Sequence, residues 1–170
     1  MPGVMIRRAT LEDADILAAL GRDTFVDTFA HLYPTEDLEA FLEQAYTPAA
    51  FRRFLQWPGE AMWVAEEDGH AVGYAHAGAC ALPHPEVTPG CAELKRLYVR
   101  KGRQNDRLGS RLMKIALDWM DEPGRMLWLG VWSENYGAQR FYGRYGFVKV
   151  GEYEFPVGRI RDREFIFRRG

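Results

Sequence analysis

The stretch Glu93–Leu112, ELKRLYVRKGRQNDRLGSRL, decides how this chain is read. An apolar strand ends at Val99. A charged, glycine-containing loop follows. From about Arg107 the residues Leu108, Leu112, Ile115 and Trp119 recur at spacings of four, three and four, which is one face of a helix. The first backbone N–H groups of a helix have no intrahelical partner, and the helix dipole adds about 0.3–1 kcal/mol for an anion at an exposed site. A strand–loop–helix junction set among Arg and Lys therefore suits a phosphate. An ordinary surface loop carrying a few glycines fits the same pattern, so this run alone leaves both readings open.

Further along, Pro123-Gly124 stops the helix, and Met126–Trp132 is a nearly continuous apolar run, as in a strand covered on both faces. Asn135–Tyr145 reads as another helix, with Gly146 where a left-handed cap is wanted. Phe147–Phe155 and Glu164–Phe167 read as closing strands. Toward the start, Val4–Ala9 is a short strand, and Thr10 with Asp13 opens a helix using Ile16, Leu17 and Leu20. Thr35 is expected to cap a second helix carrying Leu38, Phe41, Leu42 and Ala45. Thr47-Pro48 begins a third, which Pro58-Gly59 ends. Ala61–Glu66 and His70–Cys80 form a hairpin about Asp68-Gly69. Leu82–Gly90, with three prolines, is a loop, and Cys91–Val99 is a strand. The order predicts one mixed α/β domain over residues 1–170.

At 170 residues, 47% hydrophobic and 27% charged, the chain fits a globular protein. Its apolar runs fall short of the roughly 20 residues that span a bilayer, and no leader is read at the start, so the expected location is cytoplasmic, with no membrane partner. Net charge is −2, unevenly spread. Nine acids face one base between Leu11 and Ala50, whereas eight bases face one acid, Asp106, between Lys95 and Lys114. Solvated helix faces account for many of these charges. The sharper reading sets a cationic acceptor on one side and a polyanionic ligand on the other, with no nucleic acid implied. Cys80, His84 and Cys91 match no tight zinc spacing, so no metal is expected, and both cysteines read as free thiols in neighbouring strands.

The run after Glu93 resembles motif A of the GNAT superfamily of N-acetyltransferases, in which a strand ending in LYV precedes a Gln/Arg-x-x-Gly-x-Gly/Ala loop. Here that loop is Gln104-Asn105-Asp106-Arg107-Leu108-Gly109. Leu127–Phe147, LWLGVWSENYGAQRFYGRYGF, resembles motif B. DTFVDTF at Asp23–Phe29, EDLEAFLEQAYT at Glu36–Thr47 and WLGVW at Trp128–Trp132 are similar to the PaiA-type branch, described as acting on spermidine and spermine. Two departures stand out. Arg107 occupies the central motif glycine, where a side chain either crowds a pyrophosphate or pairs with it. Gly130 occupies a strand position where some GNAT proteins place a base glutamate.

The resemblance implies the GNAT fold, a mixed sheet of about seven strands with helices on both faces. It also implies acetyl-CoA as co-substrate and direct transfer to a primary amine of a small acceptor, polyamines included, within a ternary complex. A homodimer belongs to the same expectation. The cofactor would meet Leu97, Tyr98 and Val99, then Gln104, Asn105, Asp106, Arg107, Leu108, Gly109 and Ser110, with Asn135 and Ala138 beside its arm. Asn135 has an ordinary alternative as a helix cap. Tyr142 is the candidate acid for the departing thiolate, since a phenol's ordinary pKa of about 10 is near that of a thiol. Glu93 is the candidate base, against deprotonation through water. Phe25, Asp27, Phe29 and Tyr33 are candidate acceptor-pocket residues. A decayed loop at Arg107 would instead make the chain a non-catalytic acyl-CoA sensor or interaction module.

Overall fold

The computed structural model describes residues 3–103 and 107–170. Seven strands form one sheet: β1 (Met5–Arg8), β2 (Ala61–Glu67), β3 (His70–Ala79), β4 (Ala92–Val99), β5 (Leu127–Trp132), β6 (Val148–Val157) and β7 (Ile160–Arg169). Their spatial order is β1-β2-β3-β4-β5-β7-β6, antiparallel throughout except for β4 and β5. Five α-helices are described: α1 (Ala14–Phe29), α2 (Thr35–Ala45), α3 (Pro48–Gln56), α4 (Leu108–Met120) and α5 (Tyr136–Gly143).

Both faces of the sheet are covered. Strand side chains alternate, so Trp63 and Ala65 of β2 face one way while Met62 and Val64 face the other. The first pair packs with Leu108, Leu112, Met113 and Met120 of α4. The second packs with Leu17, Leu20 and Phe25 of α1, Leu42 of α2 and Phe51 of α3. Each fully buried Leu or Phe contributes about 1.5–3 kcal/mol, which is why β2 and β5 read as unbroken apolar runs.

Local signals account for most boundaries. The Thr47 hydroxyl accepts the Ala50 N–H at 3.1 Å and caps α3, with Pro48 at the tolerated first position. Asp13 closes a capping box on Thr10, heading a short 3₁₀ turn before α1. Gly146, at φ +89°, ends α5 in a Schellman motif: Phe147 N donates to Tyr142 O at 3.3 Å and Gly146 N to Gly143 O at 3.1 Å. Thr35 differs from expectation. Pro34 holds the cap position, so Thr35 is already the first helical residue and its side chain caps nothing. Ile16, expected on the buried face of α1, is exposed. The β6–β7 hairpin is much longer than the sequence pattern indicated.

The feature that positions the site is a parting between β4 and β5. They pair only at Ala92↔Leu127 and Glu93↔Trp128. Beyond that, a register shift against β3 leaves Lys95 as an extra residue in β4, and such a bulge bends its strand. Leu97, Tyr98 and Val99 keep their β3 partners but have none on the β5 side.

Candidate active site

The parting opens into a cleft of about 610 Å³. Its floor comes from β4, β5 and β7, one wall from the aromatic residues of α1 and α2, and its rim from α5. The structure brings together Glu93, Leu97, Tyr98, Val99, Asn135, Ala138, Tyr142, Phe25, Phe29 and Tyr33. Asp27 does not join them: it is exposed on α1, outside the cleft lining, because Phe25, Thr28 and Phe29 occupy the inward helical positions.

Glu93 stands at the closed end of the parting, where its Oε1 accepts the Ala81 N–H at 3.0 Å. Burial pushes its carboxyl above the usual range, against the opposing pull of that hydrogen bond and of Lys95 and Arg96. Tyr142 is half-buried on α5, its ring against Phe141 and Phe147. Burial first, and then the charge of Glu164, raise its phenol well above the ordinary tyrosine value, which keeps it a proton donor. Asn135 performs its ordinary role, its Oδ1 accepting the Ala138 N–H at 3.1 Å, and lines the cleft as well.

Sequence reasoning missed Arg96, Gly130's partner Tyr153, Asp162 and Glu164, all of which line the cleft. Asp162 accepts a hydrogen bond from the Tyr33 hydroxyl, tying the segment before α2 to β7. Glu164 is half-buried and pushed up to about 7, chiefly by burial and then by the charges of Asp162 and Glu93. The Arg96 guanidinium lies 5.0 Å from the Phe54 ring centre, 5.6 Å from Tyr46 and 5.9 Å from Phe51. Its Nη1 donates to Nδ1 of His76 at 2.9 Å; burial holds that imidazole neutral, with a pKa lowered to about 4. Gly130 is explained by Tyr153: a Cβ on it would lie 3.0 Å from the tyrosine hydroxyl. A glutamate there would require the Tyr153 hydroxyl to shift.

The cofactor side rests on the start of α4. Leu108 is fully buried, so only its backbone can meet a ligand. Gly109 has open space where a Cβ would be, and Ser110 follows it in the first turn. Arg107 has φ +56°, the left-handed conformation that glycine adopts without strain. Arg107, Ser110, Arg111 and Lys114 line a second groove beside this turn. Gln104, Asn105 and Asp106 lie outside the described residues. Strand-edge amides without β5 partners, an open helix start and clustered cations together fit a thioester whose arm lies in the parting and whose phosphates sit at α4. Among the described residues no cluster of His, Cys, Asp and Glu is arranged to hold a metal, and no helix is long and apolar enough to cross a membrane.

Residues 28–147 match the profile described as the acetyltransferase (GNAT) family, and the chain belongs to that family. It is 32% identical over 174 residues to an uncharacterized N-acetyltransferase of Lactobacillus delbrueckii subsp. lactis, covering 99% of this chain and 98% of the relative. It is 30% identical over 160 residues to one of Mycobacterium tuberculosis, covering 94% and 98%. Its fold is similar to that of the PaiA N-acetyltransferase from Thermoplasma acidophilum, crystallised with coenzyme A, at TM-score 0.76 and 20% identity over 98% of both chains. A GCN5-related N-acetyltransferase from Rhodopseudomonas palustris matches at TM-score 0.73 and 20% identity, over 100% of this chain and 96% of that one. The chain is thus an acetyl-CoA-dependent N-acetyltransferase.

Proposed function

We propose that the acceptor is a small, multiply charged cation with a primary amine, a polyamine being the leading member of that class. The observation that carries this is the charge of the cleft: Glu93, Asp162 and Glu164 converge on it, while its two cations are already engaged, Arg96 by three aromatic rings and His76 and Lys95 by Glu60 at 3.0 Å. Phe25, Phe29 and Tyr33 supply an apolar wall against which the methylenes of a polyamine would lie.

Acetyl-CoA supplies an activated carbonyl and a thiolate leaving group. The backbone amides of Leu97 and Val99, which alternate with the β3-directed amides of Tyr98 and Arg100 and lack β5 partners, would hold the pantetheine arm and polarise the carbonyl. Such preorganised donors are worth about 10²–10³-fold in rate. Arg107 and the backbone N–H groups of Leu108, Gly109 and Ser110 would take the phosphates, with Asn135 and Ala138 beside the arm. Tyr142 would protonate the departing sulfur. The amine's proton would go to a carboxylate of the same cleft, where Glu93 and Glu164 are both placed. Arg107 holds the left-handed backbone that glycine adopts freely, which supports a working loop rather than a decayed one.

The test combines calorimetric titration of acetyl-CoA with thiol release over a panel of polyamines, amino acids and peptides. Turnover with di- and polyamines ahead of the zwitterions supports the reading. Binding without turnover on any amine replaces it with the sensor reading.

A further inference from the structure

Glu164 is the one cleft carboxylate whose side chain has no hydrogen bond or ion pair among the described residues. Glu93 accepts from the Ala81 amide and Asp162 from the Tyr33 hydroxyl. β7 brings Glu164 in opposite Trp132 of β5. Trp132 is four residues beyond Trp128, the last β5 residue paired with β4, and so comes level with Leu97 and Tyr98. Glu164 therefore faces the open part of the parting, beside strand-edge amides without partners, whereas Glu93 sits at the closed end. Its charge acts on Tyr142 of α5, Tyr98 of β4, Tyr33 before α2 and Tyr153 of β6. The charges that act on it are Asp162 of β7 and Glu93 of β4. Two cations line the same cleft: Arg96, held by His76 and its aromatic rings, and Lys95, paired with Glu60 at 3.0 Å.

We infer that Glu164 takes the proton from the attacking amine; this deepens, and rests on, the acetyl-transfer reading above. The neutral amine's lone pair forms the C–N bond to the acetyl carbon, and the C–S bond breaks with its electron pair on sulfur. The nitrogen's proton goes to the Glu164 carboxylate and the Tyr142 hydroxyl proton goes to the thiolate. Return of the proton from Glu164 to the Tyr142 phenolate, directly or through water, restores both groups.

Two features suit Glu164 to this task. A base works best when its pKa lies near the operating pH, and burial with two neighbouring carboxylates puts Glu164 there. The same charge also holds Tyr142 protonated. Once Glu164 gains the amine's proton that charge is gone, so the phenol becomes the stronger acid at the step where sulfur needs its proton. Base and acid are coupled through one ionisation.

The test compares wild type with Glu164→Gln and Glu93→Gln from pH 5.5 to 9.5 on an aliphatic amine identified by the panel, with acetyl-CoA affinity measured in parallel. Wild-type kcat/KM should rise through an apparent pKa of about 7. Glu164→Gln should lose about 10²-fold or more in kcat near neutrality, lose that acidic limb, and keep its acetyl-CoA affinity. Its deficit should shrink to about tenfold or less for a weakly basic aromatic amine, whose nitrogen becomes acidic enough on C–N bond formation to lose its proton to water. Glu164→Asp should recover part of the limb. The thermal readout has its own sign. A carboxyl with a raised native pKa costs stability as pH climbs from about 4.5 to 7, so Glu164→Gln should melt higher than wild type at pH 8. Retained turnover and limb in Glu164→Gln, loss of acetyl-CoA affinity in step with turnover, or loss of the limb in Glu93→Gln instead would each overturn the inference while leaving acetyl transfer standing. Absence of wild-type turnover on every amine would remove acetyl transfer itself, and the base with it.

Discussion

Asp37 on α2 grips Arg159 at the tip of the β6–β7 hairpin: its carboxylate accepts the Arg159 backbone N–H at 2.7 Å, Nε at 3.1 Å and Nη2 at 3.2 Å. The contact anchors the hairpin that carries Asp162 and Glu164 to the helical layer proposed as the acceptor wall. It also leaves no room beside it. Gly158 has φ +58°, and a Cβ there would lie 2.6 Å from the Asp37 Cα and Oδ1. Gly158→Ala combines backbone strain with a clash, so a loss of about 2–3 kcal/mol is expected, read as a lower urea midpoint at unchanged m-value.

Tyr142→Phe removes the proposed acid while keeping a ring against Phe141 and Phe147. Turnover should fall about 10²-fold or more, with melting temperature and acetyl-CoA affinity held. Unchanged thiol release would take Tyr142 out of the chemistry.

Arg107→Gly tests the motif departure. A left-handed non-glycine residue costs about 1–2 kcal/mol, partly offset by the extra unfolded-chain freedom of glycine. A net gain of up to about 1 kcal/mol in unfolding free energy is expected. If the guanidinium also meets a phosphate, acetyl-CoA affinity should fall and its salt dependence weaken. Titrations at two ionic strengths measure this.

Asp162→Asn and Asp27→Asn separate the cleft from the acidic surface. The first removes a charge lining the proposed acceptor cleft and should raise KM for a diamine about tenfold, the scale of one charge-assisted hydrogen bond. The second changes an exposed residue outside the cleft and should leave KM where it was. The reverse pattern would move the acceptor site to the outer face of α1.

His76 sets an acid limit. It is fully buried, its pKa lowered to about 4 by burial above all. The unfolded chain takes up this proton near pH 6.5 and the folded chain only near 4. The associated stability is therefore complete above 6.5 and lost as pH falls toward 4, to an extent on the order of 3 kcal/mol. His76→Asn, which keeps an acceptor for Arg96, should flatten this part of the pH dependence in urea unfolding. An equal slope in both proteins would assign it to other groups.

What the sequence disclosed follows from where signals were local. Thr47, Gly146 and the Leu108–Trp119 spacing each act within a few residues, and each boundary they imply is present. The parallel β4–β5 neighbours follow from a strand–helix–strand order. β7 resisted reading because Arg161, Asp162, Arg163 and Glu164 place charge on both faces of the strand, which erases the alternation. The inward face there meets a cleft rather than a dry core, so apolar residues were never required. For the same reason Glu164 was seen as part of a strand but not as part of the site. Thr35 misled because Pro34, whose ring fixes φ, serves as the boundary without a side-chain hydrogen bond. Asp27 drew notice as one of many acids, while the helix turns it outward.

With two rungs joining them, the four-strand and three-strand leaves of the sheet meet at a seam rather than a continuous ladder. A pantetheine arm laid into that seam would act as an extra strand, lending amide and carbonyl groups to an edge that otherwise meets solvent. Co-substrate and scaffold would then be mechanically one object. Saturating coenzyme A should lock the two leaves together, slow hydrogen exchange at the Leu97 and Val99 amides and shift the melting curve upward by an amount set by its concentration relative to Kd.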